Sequence, residues 1–274
     1  MSGQLKYPVM LVHGMSRRDD RWLKYWGRIP KALEQSGCRI YFSGQDCNAV
    51  IEHNADFLAG RIEEILADSG APKINVIAHS KGGFDIRRCV SKYHLEDKVA
   101  SITTIGTPHH GSLALDRIFQ MQRWVVRLVS ITSNAWMRIY GDSQPDFYHI
   151  MNDFTTEAAA RFNEENPMPK GVYCQSFAFV ADHAKGNYLL SIPRGFIKRV
   201  EGESDGLVTP ASAQWGNFRG IVRSTTKRGV SHWDEIDLKH QPLSKNTGSE
   251  SMFKISDITD FYSMLAKELA KKGF

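Results

Sequence analysis

No run of apolar residues in this 274-residue chain approaches the roughly 18 that a bilayer-spanning helix needs. A helical membrane anchor within the sequence is thereby excluded. Cysteine is scarce: Cys38, Cys47, Cys89 and Cys174 form no CxxC pair and have no metal-ligand spacing, so neither a disulfide framework nor a cysteine-based zinc site is expected. Charge of one sign is also lacking. Thirty-five Lys and Arg stand against 30 Asp and Glu, and the net +5 is scattered along the chain, which argues against a nucleic-acid-binding stripe. Low-complexity segments and internal repeats are absent. With 42% hydrophobic and 24% charged residues, the composition is that of a soluble globular chain able to bury a large core. No charged segment followed by a longer apolar stretch precedes the strand-like run Tyr7 to His13. A cytoplasmic location is the default expectation, and a secreted one if a leader has been removed.

Strand and helix patterns alternate through the first half. Val9 to Val12 reads as a strand, Trp22 to Gln35 as a helix closed by Gly37, and Arg39 to Phe42 as a second strand. Asn54 is expected to cap a helix that places Leu58, Ile62, Ile65 and Leu66 on one face. Ile74 to Ala78 is a buried-type strand, followed by a helix through Ile86 and Val90 and a strand at Val99 to Ile105. This order implies an α/β fold with a mostly parallel sheet covered by helices on both faces. After Gly111 the rhythm breaks, and a helical insertion is expected over about residues 112–170, within a single domain. Val172 to Val180, Ile221 to Arg223 and a closing helix at Ile258 to Leu269 complete the pattern.

The chemistry centres on Ala78-His79-Ser80-Lys81-Gly82-Gly83, a strand-to-helix turn with small residues on both sides of a serine. A nucleophile elbow requires that context, because the turn holds the serine in a strained conformation against neighbouring backbone. A serine hydroxyl needs a base, itself oriented by an acid, and in such folds the order is Ser, Asp or Glu, His. His232, late in the chain in a loop after the last expected strand, is the candidate base, with His240 a weaker rival. Asp205 is the candidate acid and Asp182 the runner-up. Two backbone N–H groups, of Met15 after His13-Gly14 and of Lys81, are the candidate oxyanion donors. His79 reads as a packed neighbour of the elbow. The adjacent pair His109-His110 points its side chains apart and lacks a carboxylate at ligand spacing, so no metal is assigned there.

Six separated segments carry a family resemblance: Val9 to Met15; Lys24 to Pro30 with Ala32 and Leu33; Ala78 to Gly83; Thr104 to Ser112; Ser204 to Val208; and His232 to Glu235. In these the chain resembles the true bacterial lipases related to the Pseudomonas and Burkholderia enzymes, members of the α/β-hydrolase superfamily. The resemblance implies a triad of Ser80, Asp205 and His232, an oxyanion hole at Met15 and Lys81, and a lid over an acyl pocket formed by the insertion. The implied activity is hydrolysis of a carboxylic ester, such as a triacylglycerol. The family often holds a structural calcium near the base, and Asp234 stands where one ligand would be. Leu238, however, occupies the place of a second side-chain ligand and cannot bind a hard cation. The reading therefore requires no cofactor. Arg117, Arg123 and Arg127 recur around the apolar face that follows Leu113, as in a helix that meets lipid or one packed on the core. The expected partner is an ester or lipid substrate, with transient contact at a lipid interface and no nucleic acid, and the protein is expected to be a monomer. An acyltransferase or amidase on the same scaffold, and a non-catalytic lipid- or partner-binding domain, are the alternatives.

Overall fold

The structure, a computed structural model, describes residues 4–19, 24–181, 191–246 and 248–274. Its seven-stranded sheet has the order β2-β1-β3-β4-β5-β6-β7, every neighbouring pair parallel. The strands are β1 (Val9–Val12), β2 (Ile40–Phe42), β3 (Ile74–His79), β4 (Val99–Ile105), β5 (Tyr173–Phe179), β6 (Asn217–Ser224) and β7 (Lys254–Ile255). The helices are α1 (Ile29–Gln35), α2 (Ile51–Ser69), α3 (Gly82–Tyr93), α4 (Leu113–Tyr140), α5 (Phe147–Asp153), α6 (Thr156–Glu165), α7 (Ser191–Val200) and α8 (Ile258–Lys271).

Period-two alternation divides each central strand between two cores. Val9 and Leu11 of β1 join the layer under α1 and α8, whereas Met10 and Val12 join the layer under α2 and α3. Both faces of the sheet are therefore buried, which explains the unbroken apolar run of β1 and the Val76-Ile77-Ala78 run of β3. β3 lies between β1 and β4, so the turn after His79 opens at the carboxyl edge of the sheet, flanked by the turns after both neighbours. In open α/β sheets that edge is where ligands bind.

Several elements differ from their sequence reading. The first helix is shorter, running from Ile29 with Pro30 in its first turn, and residues 20–23 lie outside the described set. Asn54 does not cap α2. The helix starts at Ile51 with Val50 as N-cap, and Asn54 is buried one turn in, where its amide donates to Asp46 O and to the Asp85 carboxylate, both at 2.8 Å. Tertiary hydrogen bonding thus outweighs the cap preference of asparagine. β6 is longer than the three residues expected, its glycine-containing half being obscured by Arg219 and Gly220. Neither α7 nor β7 has a clear sequence signal.

Residues 113–165 are mainly helical: α4, kinked at Gln122, then α5 and α6. Ile150, Phe154 and Ala159 pack on Phe84 of α3 and on Met15, which ties this segment to the carboxyl edge. At the end of α5, burial pushes the Asp153 carboxyl from its ordinary 3.8 to about 6. The folded chain therefore retains a proton that the unfolded chain loses as pH rises from about 4 to 6, and this contribution to stability is lost over that window. Asp153→Asn is expected to raise Tm by a few degrees at pH 8 and to leave it unchanged at pH 4, as read by calorimetry at both values.

Candidate active site

Ser80 sits at the junction of β3 and α3 with φ of +55°, a left-handed conformation that costs a non-glycine residue energy and so marks a conformation the surroundings impose. Its N–H donates to Ile105 O at 2.9 Å, and its carbonyl accepts from Thr107 Oγ1 at 2.8 Å. Close approach at Gly82 permits the turn, since a Cβ there would lie 2.6 Å from His13 O. Ser80 Oγ is 3.0 Å from His232 Nε2, and His232 Nδ1 is 2.8 Å from Asp205 Oδ2. Nδ1–H donates to the carboxylate, which leaves Nε2 able to accept the serine proton. The other Asp205 oxygen accepts the N–H groups of Leu207 and Val208, both at 2.7 Å, and His232 N–H donates to Asp205 O at 3.0 Å.

Burial acts most strongly on Asp205 and pushes its carboxyl up. The charge and hydrogen bond of His232, with bonds from Glu235 and Val208, outweigh it and hold the group below its ordinary value. An ionised, immobile carboxylate behind the imidazole fixes its tautomer and stabilises the imidazolium. Asp182, the other acid considered, lies outside the described residues. His240, the other histidine, is the third residue after Asp237 in a loop and has no bond to Ser80 or Asp205 among the described residues.

The N–H groups of Met15 and Lys81 have no hydrogen-bond partner among the described residues. Both flank Ser80. Gly14 passes so close to the serine that a Cβ on it would meet Ser80 Cβ at 2.9 Å, and Lys81 follows it directly. The Lys81 side chain is buried, its Nζ bonded to both Asp85 oxygens at 2.7 and 2.8 Å, one helical turn on. This buried pair fixes the first turn of α3, and removal of one partner would strand the other charge at a cost of about 3–5 kcal/mol.

The arrangement has the parts needed for acyl transfer: a hydroxyl nucleophile, a base oriented by an ionised carboxylate, and two unengaged N–H donors. The model of the alpha/beta hydrolase fold family matches residues 7–192. The chain belongs to that family. Among proteins similar to this hydrolase-fold chain is a triacylglycerol lipase of Vibrio cholerae, 27% identical over 98% of this chain and 89% of the relative. Another is triacylglycerol lipase 2 of Saccharomyces cerevisiae, 27% identical over 92% and 75%. Of solved structures, the metagenomic carboxyl esterase MGS0156 superposes with a TM-score of 0.70 at 15% identity, covering 99% of this chain and 78% of that one. The mature Bacillus licheniformis lipase BlEst2 gives 0.64 at 20%, covering 87% and 93%. These superpositions bear on the fold.

The residues near Asp234 do not fit a calcium ion. Its carboxylate is engaged by Arg228 and by Ser231, whose hydroxyl donates at 2.6 Å and whose N–H donates at 3.0 Å, while Leu238 offers no side-chain ligand. His109 and His110 do diverge. His109 is buried, receiving Arg87 at Nδ1 (2.8 Å) and bonded to Thr104 at Nε2 (2.9 Å), whereas His110 is exposed.

Sequence reasoning missed one participant. Glu235 is completely buried, with Oε2 at 3.0 Å from His79 Nε2 and 3.8 Å from His232 Nδ1, and His79 Nδ1 in turn bonds Tyr25 Oη at 2.6 Å. His79 is thus more than a packed neighbour. Burial first, and the Asp205 carboxylate second, push the Glu235 carboxyl well above its ordinary value, so it holds a proton. Its three-residue spacing from His232 on a short turn was the available signal. Because the group is neutral, Glu235→Gln is expected to keep kcat within about fivefold, whereas Glu235→Ala opens a cavity and removes a buried partner, lowering stability by about 2–4 kcal/mol. Steady-state kinetics and urea denaturation of the two variants test this.

Proposed function

We propose that the protein is a serine carboxylic-ester hydrolase of the triacylglycerol-lipase kind. The single observation that carries this reading is the Ser80–His232–Asp205 chain of hydrogen bonds beside two N–H donors, of Met15 and Lys81, that are unengaged among the described residues. His232 Nε2 takes the proton as Ser80 Oγ attacks the ester carbonyl, and the N–H groups of Met15 and Lys81 hold the oxyanion. Collapse of the tetrahedral intermediate, with His232 returning the proton to the leaving alcohol oxygen, gives an acyl-Ser80 ester. Water, deprotonated by His232, then attacks the acyl carbon and releases the carboxylic acid and the free serine. No metal or cofactor takes part in this sequence.

The shape of the 113–165 segment supports a lipid substrate. α4 carries Met121, Trp124, Leu128, Ile131, Trp136 and Ile139 more than half exposed, next to arginines, an amphipathic surface suited to a lipid interface. In this reading α4 is a lid that an aggregated substrate draws open. Trp124→Ser with Leu128→Ser is expected to lower hydrolysis of emulsified long-chain triacylglycerol by about tenfold and to leave the rate on soluble p-nitrophenyl butyrate within twofold. Four buried free thiols fit a reducing, cytoplasmic setting. Hydrolysis of p-nitrophenyl esters from acetyl to palmitoyl, with and without an added alcohol, tests the function. Rising rates toward long chains with free acid as product support a lipase. A dominant alkyl-ester product would make it an acyltransferase, and turnover of amides alone an amidase.

A further inference from the structure

A polar knot joins three segments at the edge of the candidate oxyanion hole. The loop carrying Met15 continues to Ser16, whose φ of +75° is left-handed and whose N–H donates to Asn48 Oδ1 at 3.1 Å. Two residues on, Arg18 donates to Asp46 Oδ1 at 3.0 Å, to Gly44 O at 3.1 Å and to Gly141 O at 2.9 Å. Asp46 and Asn48 belong to the loop after β2, and Gly141 is the C-cap of α4. The end of α4 reaches back in turn. Asp142 accepts the N–H groups of Cys47 (3.0 Å) and Asn48 (2.7 Å), and Asp46 Oδ2 accepts the N–H and hydroxyl of Ser143 at 2.7 and 2.6 Å. Asp46 and Asp142 are buried, which makes these bonds hard to replace with water.

Met15 itself has no bond at its N–H among the described residues, so its direction depends on the peptides on either side. Gly14 is wedged between Tyr25 Oη and Ser80 Cβ on one side, and Ser16 is held by Asn48 on the other. A left-handed serine at an exposed position has no reason to persist unless its neighbours impose it. From this geometry we infer that Asn48 is a positioning residue for the oxyanion donor Met15, and that the C-terminal anchor of α4, through Asp46 and Asp142, is part of the same hold. The inference rests on the proposed hydrolase reading and deepens it. Cap and oxyanion hole are one mechanical unit, so a displaced α4 terminus loosens the donor.

The test compares Asn48→Ala, Asn48→Asp and Ser143→Ala with the wild type on p-nitrophenyl butyrate, alongside the rate at which a fluorophosphonate labels Ser80. Asn48→Ala is expected to lose about 10- to 100-fold in kcat and in labelling rate, with KM within twofold and an unmoved pH profile, because Asp205, His232 and Ser80 are untouched. Asn48→Asp keeps the acceptor for Ser16 N–H and is expected to stay within threefold of wild type. Ser143→Ala is expected to lose about threefold, and its combination with Asn48→Ala less than the product of the two losses. Unchanged labelling and kcat in folded Asn48→Ala, a moved pH profile, or a loss in Asn48→Asp equal to that in Asn48→Ala would overturn the inference. Should no ester be turned over by the wild type, the hydrolase reading fails, and the labelling rates still decide whether Asn48 governs the oxyanion site.

Discussion

Ser80→Ala is expected to lower kcat for p-nitrophenyl butyrate by about 10⁵–10⁶-fold while Tm stays within a few degrees of wild type. The size follows from the geometry. Without the hydroxyl, His232 Nε2 faces only water, no acyl-enzyme forms, and what remains is the binding and oxyanion stabilisation of the empty site. The fold is not at risk, because the interactions that set the turn belong to the Ser80 backbone: its N–H to Ile105 and its carbonyl to Thr107. Removing Oγ leaves both intact. Alanine at φ near +55° is as strained as serine, so the substitution adds no new cost. A residual rate above about one part in 10³ would mean that a second nucleophile serves the site.

Asp205→Asn is expected to lower kcat by about 10⁴-fold with little change in KM. The amide nitrogen of asparagine would face His232 Nδ1 as a donor, which drives the imidazole to carry its proton on Nε2. That nitrogen then donates to Ser80 Oγ instead of accepting from it. The charge that stabilises the imidazolium is lost at the same time. Asp182→Asn is the control and is expected to retain wild-type kinetics. Activity retained in Asp205→Asn and lost in Asp182→Asn would transfer the role of acid to Asp182.

What could be read from sequence and what could not follow from the range of the interactions involved. The parallel sheet was legible because both of its faces are buried, which writes a continuous apolar run into β1 and leaves β3 and β4 rich in Val, Ile and Thr. The elbow was legible because its chemistry is local: a strand, a serine with small neighbours and a helix within one short segment. Its partners were found through their order along the chain, although Asp205 comes only after α7 and His232 only after β6. Asn54 was misread because a residue with high cap preference was instead used to bridge Asp46 and Asp85, contacts set by tertiary structure alone. The Tyr25–His79–Glu235 chain was invisible for the same reason. Tyr25 and His79 are 54 positions apart, and His79 and Glu235 are 156 apart, so no periodicity links them. The knot around Arg18, Asp46, Asn48 and Asp142 joins residues as far apart as Arg18 and Gly141, 123 positions, and looks, in sequence, like three unrelated polar loops.

The most direct test of the central claim is mass spectrometry of the enzyme quenched in acid within milliseconds of mixing with a p-nitrophenyl ester. The account predicts a mass increase equal to the acyl group on the single peptide that contains Ser80, appearing with the p-nitrophenol burst and absent in Ser80→Ala. Turnover without any adduct, or an adduct on a different side chain, would contradict it.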